Sequence, residues 1–247
     1  MKRYKLIVEY DGGPFHGWQR QDDLPSVQER LEDAIHGFCG ERVTLQCAGR
    51  TDAGVHALGQ CAHADLECDR KPYTVMQGLN YHLKDSGVAI THVEIADPEQ
   101  FHARFTAKGR RYVYRIINRS AWLALDQNRA WHVPKPLDIA AMQDAAEELL
   151  GTHDFTSFRD SNCQAKSPIK TLDELRVEQV NDQEINIHAA SRSFLHHQVR
   201  IMTGSLVMVG KGKWTRADLA KARDAKERKA GGPTAPAHGL YFVEVTY

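Results

Sequence analysis

Residues 43–66 read Val43-Thr44-Leu45-Gln46-Cys47-Ala48-Gly49-Arg50-Thr51-Asp52-Ala53-Gly54-Val55-His56-Ala57-Leu58-Gly59-Gln60-Cys61-Ala62-His63-Ala64-Asp65-Leu66. Two strand-like runs, 43–47 and 60–66, flank the octapeptide from Gly49 to His56. Two glycines and the charged or titratable Arg50, Asp52 and His56 make that octapeptide a turn, with Asp52 presented rather than buried in a regular element. Gly49 and Gly54 would let the backbone turn tightly around the aspartate. The same residues would equally polarise a solvated surface turn, and the stretch by itself leaves both readings open.

Working outward, residues 4–10 alternate, with Tyr4, Leu6, Val8 and Tyr10 on one face and Lys5, Ile7 and Glu9 on the other, which predicts a half-buried strand ended by Asp11-Gly12-Gly13-Pro14. The next stretch, Phe15 to Gln21, is polar with two large aromatics, either a loop stapled down by its rings or one that meets a ligand. Ser26 with Glu29 three residues on forms a capping box, and Val27, Leu31, Ala34, Ile35 and Phe38 repeat at helical spacing until Gly40. A second helix over 74–83 and a strand over 88–95 complete the order β-α-β-β-α-β. That is the split βαβ pattern of ferredoxin-like domains, an antiparallel sheet with both helices on one face and the other face open.

The second half repeats this order. A strand is expected over 112–118, a helix capped by Asp138 with Ile139, Met142, Ala145, Ala146 and Leu149 inward until Gly151, and a hairpin of 172–180 and 184–191 around Asn181-Asp182. A helix over 196–209, another capped by Thr215 with Asp218, and a strand over 240–246 follow. The expected class is α+β, two ferredoxin-like halves over 1–104 and 105–247.

Composition narrows the function classes. With 247 residues, 42% of them hydrophobic, the chain can bury a sizeable core. Thirty-two basic residues balance thirty-two acidic ones, so any nucleic-acid binding must come from a local patch. No apolar signal region or membrane-length run is present, which reads as a cytoplasmic protein. Five cysteines without CxxC spacing fit free thiols better than a disulfide frame or a zinc site, and thirteen scattered histidines make no ligand motif. No metal is expected.

Residues 100–125 contain only one charge sign until Asp126: Arg104, Lys108, Arg110, Arg111, Arg115 and Arg119 are interleaved with Phe101, Phe105, Tyr112 and Tyr114. Cations plus rings suit phosphate contact with base stacking, and equally suit a basic strand edge that resists aggregation. Tyr112, Tyr114 and Ile116 share one strand face, so one tyrosine of the pair can reach a base while the other packs. Arg200 precedes an apolar run; buried, it would need an anionic partner such as Asp52, whereas a solvent-facing arginine is the commoner case.

These motifs together closely resemble the TruA family of tRNA pseudouridine synthases over essentially the whole chain. They are Tyr10-Asp11-Gly12 with Phe15-His16-Gly17-Trp18-Gln19-Arg20-Gln21, the octapeptide Gly49 to His56, Phe101-His102-Ala103-Arg104-Phe105, and Arg111-Tyr112-Val113-Tyr114. Asp154-Phe155-Thr156-Ser157-Phe158, His196-His197-Gln198-Val199-Arg200 and Gly239-Leu240-Tyr241 complete the set. The resemblance implies a cofactor-free isomerase that converts uridine to pseudouridine at positions 38, 39 and 40 of the tRNA anticodon stem-loop. It also implies a homodimer, and two domains whose sheets join with the active-site cleft between them. Asp52 is then the catalytic aspartate, Tyr112 packs against the target base, Arg200 partners the aspartate, Arg50 helps to extrude the nucleotide, and Leu240 lines the pocket. Arg20, Arg104, Lys108, Arg110 and Arg111 are candidates for RNA contact. Two other classes remain: a non-catalytic RNA-binding module, and a metal-dependent phosphodiesterase using Asp52 and His56.

Overall fold

A computed structural model describes all 247 residues, which group into two compact units: Met1–Lys108 with Phe242–Tyr247, and Gly109–Tyr241. The division lies four residues beyond 104/105, and the last six residues return to the first unit.

In the first unit β1 (Lys2–Tyr10) is the middle strand. Its alternation works as expected: Tyr4, Leu6, Val8 and Tyr10 are all at most 3% exposed, while the other face stays partly open. It pairs antiparallel with β3 (His56–Leu66) and with β4 (Val88–Ala96), placing Tyr4 opposite both Ala64 and Ile95. Only Gln46–Cys47 of the expected second strand joins the sheet, as β2, antiparallel to β3. The amide of Leu45 is instead taken by the Glu32 carboxylate at 3.1 Å, which withdraws the preceding residues from the ladder.

Helix α1 (Val27–Cys39) is capped by the Ser26 hydroxyl, which accepts from the Glu29 amide, and ends at Gly40 in the left-handed region (φ 77°). Helix α2 (Pro72–Leu83) begins two residues earlier than its apolar repeat indicates, with Pro72 in the first turn, where a missing N–H is harmless. The two helices pack so closely that a Cβ on Gly78 would fall 2.1 Å from the Phe38 ring. The strand order is β4-β1-β3, with β2 on the far flank of β3. The C-terminal residues of β10 (Leu240–Thr246) lie on that same flank beside Gly59, whose missing Cβ would meet the Val243 carbonyl at 2.5 Å. That close approach explains why β3 runs through a glycine from His56 rather than starting at Gln60.

In the second unit the order is β5 (Gly109–Ile117), β9 (Glu184–Ser191), β8 (Ile169–Gln179), β7 (Gly151–Asp154), with successive strands antiparallel. A two-residue β6 (Trp131–His132) pairs parallel with β5. The expected hairpin turn closes through the Asn181 side chain, whose oxygen accepts the amides of Gln183 and Glu184. Helix α3 (Ile139–Ala146), capped by Asp138, tightens into a 3-10 turn before Gly151 at φ 88°. Helix α5 (Arg216–Asp224) carries the predicted capping box of Thr215 and Asp218.

Helix α4 (Gln198–Gly210) is buried on nearly every side, only Arg200 and Met208 being less than fully covered. It starts two residues after His196 because His197 sits in the left-handed region (φ 61°), its Nδ1 2.8 Å from Asp160. Residues 232–235 lie across the helix: a Cβ on Gly204 would overlap the Pro233 carbonyl at 1.8 Å.

Candidate active site

The Asp52 turn is held from behind by backbone. Residues 12–18 lie against 51–55, so that the Trp18 amide donates to the Thr51 carbonyl (3.1 Å) and the Gly54 amide to the Phe15 carbonyl (3.3 Å). The turn closes on itself through the Val55 amide and the Asp52 carbonyl (3.1 Å), with Gly54 at φ 77°. Gly54 therefore has the conformational role expected of it, whereas Gly49 does not adopt positive φ. The glycines that matter for approach are in the neighbouring loop: a Cβ on Gly12 would sit 2.1 Å from the Val55 carbonyl oxygen, and one on Gly17 2.5 Å from that of Thr51.

Side chains complete the cage. The buried Tyr10 phenol is 2.8 Å from the Thr51 hydroxyl, and burial pushes its pKa well up, so it stays a neutral hydrogen-bonding group. Gln60 donates to the Gly49 carbonyl at 2.7 Å. Buried His56 accepts the Gly12 amide at Nδ1 (3.0 Å), which makes that nitrogen an acceptor even though the Asp11 carboxylate is 3.1 Å from it. This histidine is loop support. Within this frame Thr51 faces inward, Asp52 is half-buried and Arg50 is exposed. Neither Tyr10 nor Gln60 was singled out as a support by sequence, because the pairing of β1 with β3 is what brings them behind the turn.

In the second unit the two tyrosines of β5 divide as their shared face requires. Tyr114 is fully buried, its hydroxyl donating to the Pro236 carbonyl at 2.7 Å and its ring against Gly239. Tyr112 is half-buried, with its ring edge-on to Phe194 at 5.2 Å, which orients it without covering it. Arg200 is half-buried; its Nε donates to the Ala235 carbonyl at 2.8 Å while its own carbonyl accepts the Ala235 amide, so the cation is fixed at the 232–236 segment. Leu240 is 5% exposed. Asp52 and Arg50 thus belong to the first unit, and Tyr112, Arg200 and Leu240 to the second.

The cations differ in how far the fold leaves them open. Arg20 faces Glu32 at 3.1 Å and Glu29 at 3.8 Å. Arg111 is paired with Glu174 (3.0 Å), Arg115 with Glu184 (2.8 Å) and Asp126 (3.2 Å), and Arg110 donates to the Arg192 carbonyl. The segment that is acid-free in sequence acquires carboxylates from β8 and β9 in space. Arg50, Arg104 and Lys108 remain exposed, Arg104 lying 5.9 Å from the ring of Phe105, itself 74% exposed.

A protein-family model described as tRNA pseudouridine synthase matches residues 6–106 and 145–247, which include Arg50, Asp52, Arg200 and Leu240. The chain belongs to the tRNA pseudouridine synthase family. Among family relatives, a protein from Paramagnetospirillum magneticum called tRNA pseudouridine synthase A is 59% identical over all of this chain and 96% of its own length. Another of that name from Rhodospirillum centenum is 56% identical over the whole of both chains, and one from Caulobacter vibrioides 54% over all of this chain and 99% of its own. The tRNA pseudouridine synthase match leaves out residues 107–144, where Tyr112 and five of the clustered cations lie, but the full-length relatives span that region.

Proposed function

We propose that this protein isomerises uridine to pseudouridine in the anticodon stem-loop of tRNA, at positions 38, 39 and 40, with Asp52 as the reacting group. The observation that carries this reading is similarity at 53–59% identity, end to end, to proteins named tRNA pseudouridine synthase A. The resemblance of the quoted motifs supplies the positions and the residue roles.

Breaking the N1–C1′ bond develops positive charge on the ribose, and a carboxylate beside C1′ either stabilises that charge or attacks it, as in retaining glycoside hydrolysis. Asp52 fills that role, and a turn fixed by backbone contacts on its inner side holds a carboxylate without flexing. Unlike a glycosidase, the enzyme must keep the freed uracil, turn it and rejoin it through C5. The C5 proton leaves and N1 regains one, so atoms and charge balance. Tyr112 under the base and Leu240 as an apolar wall hold the ring and exclude water. Arg200 supplies the charge that orients the carboxylate.

The target base lies in a stacked stem and must be flipped out, at a cost of a few kcal/mol. Arg50 holds the vacated space or the displaced phosphates, and Arg104, Lys108, Arg110 and Arg111 contribute the phosphate field, Arg20 adding little because Glu32 and Glu29 already face it. The reading includes two ferredoxin-like repeats, a homodimer and a cytoplasmic setting. Support for the first repeat is its strand order β4-β1-β3-β2, all antiparallel, with a helix after β1 and another after β3. Tritium release from tRNA labelled at uridine C5 tests the activity: the wild-type protein releases it, Asp52→Asn does not, and no release by wild type on unmodified tRNA overturns the reading.

A further inference from the structure

Three potential ligand atoms converge at a place the proposed reaction does not use. Cys39 is the last residue of α1, Glu41 follows the Gly40 cap, and Cys68 stands two residues past the end of β3. The two Sγ atoms and a Glu41 carboxylate oxygen all lie within 4.8 Å of one another, and each residue is half-buried, so the group is reachable yet shielded. We propose that Cys39, Cys68 and Glu41 bind one thiophilic divalent cation of the zinc class.

The donors are pre-arranged rather than merely near. Both Glu41 oxygens accept backbone amides, from Glu67 at 2.8 Å and from Cys68 at 2.9 Å, which fixes the carboxylate and ties it to the turn carrying the second thiol. That turn is pinned in its own right: the Tyr4 phenol lies 3.1 Å from the Cys68 carbonyl and 2.8 Å from that of Arg70. Cys39 sits in the last turn of α1, its thiol donating to the Ile35 carbonyl, where the helix dipole favours positive charge.

Burial raises both thiols, which makes them poor attacking groups and disfavours redox use. Two thiolates with one carboxylate form a soft set that selects zinc over magnesium or calcium, with water completing a tetrahedron. The step balances: the cation binds the two thiols and the carboxylate, and two thiol protons leave to solvent.

The role is structural. Cys68 follows the far end of β3 from the Asp52 turn, and eleven strand residues separate the two by roughly 35 Å. A bound ion would clip the C-terminus of α1 to the end of β3. Sequence spacing hid this pair, since Cys39 and Cys68 stand far apart in the chain and meet only through the fold.

The test titrates Zn²⁺ or Cd²⁺ into the full-length, metal-free protein kept reduced by a phosphine. The expected result is one equivalent bound, two protons released, a thiolate-to-cadmium ultraviolet band and a raised unfolding midpoint. Cys39→Ser and Cys68→Ser each weaken binding by more than about tenfold, the smallest effect of losing even a supporting group, and abolish the band, while their circular dichroism and tritium release match wild type. Should either variant fail to fold, Glu41→Gln gives the weakened binding with both thiols retained. Absence of stoichiometric binding by wild type, or binding undiminished in Cys39→Ser and Cys68→Ser, overturns the proposal.

Discussion

Replacing Gly12 by Ala tests whether the loop behind Asp52 sets its position. An alanine Cβ there would lie 2.1 Å from the Val55 carbonyl oxygen and 2.4 Å from its carbon, both backbone atoms that cannot swing aside. Relief to a tight but tolerable contact needs a displacement of about 1 Å between the 12–18 and 51–55 backbones, and a misplacement of that size lowers a catalytic rate by about a hundredfold. Gly13 is the matched control: its Cβ would meet only the Asp11 carboxylate end, at 3.2 Å, and its φ is not positive. Single-turnover tritium release should therefore fall about a hundredfold in Gly12→Ala and hold in Gly13→Ala, with tRNA affinity similar in both. A Gly12→Ala protein that is folded and turns over like wild type would refute the argument that these backbone contacts position the carboxylate.

Tyr114→Phe removes the donor to the buried Pro236 carbonyl and should lower stability by about 1–3 kcal/mol, read as a lower urea midpoint with unchanged slope; an unchanged midpoint contradicts the assignment. His63 is held by burial at a pKa of about 4 against an ordinary 6.5, its Nδ1 accepting the Ala103 amide. The unfolded chain then binds the extra proton, so this contribution to stability is complete above pH 6.5 and is lost as pH falls toward 4; His63→Gln should flatten that slope, and an unaltered slope between the two pH values counts against it. Binding of tRNA should weaken with salt, and Arg104→Ala should reduce the slope of log affinity against log salt by about 1, whereas Arg20→Ala, already faced by Glu32 and Glu29, should leave it nearly unchanged. Equal effects from the two variants would remove the distinction drawn from their ion pairs.

Much of the architecture is written in local pattern. The alternation of Tyr4, Leu6, Val8 and Tyr10, the Ser26 and Thr215 caps and the Asn181 turn each follow from side-chain periodicity or from hydrogen bonding within a few residues, and each is present. What escaped the sequence is non-local. Residues 43–45 leave the sheet because Glu32, on a different element, captures an amide. Nothing in the sequence signals β7, since Gly151–Asp154 has no apolar alternation and is held to Ile169–Leu172 by the backbone ladder and a Thr152–Thr171 hydroxyl contact of 2.8 Å. The arginines of 104–119 look like one field in sequence, yet Glu174 and Glu184 arrive from other strands to neutralise part of it.

The same contrast holds at the site. The turn that presents Asp52 and the division between Tyr112 and Tyr114 follow from glycines and from a period of two. The Tyr10–Thr51 hydrogen bond, the Gln60 contact and the Gly12 and Gly17 approaches depend on strand register and on a loop some forty residues away in sequence, which periodicity does not encode.

The most direct test of the central claim measures tritium release from tRNA labelled at uridine C5 alongside tRNA binding, for wild type and Asp52→Asn. The account predicts release by wild type, none by the variant, and equal binding by both, since the substitution removes only the reacting oxygen's charge. Release that persists in a folded Asp52→Asn protein would contradict it.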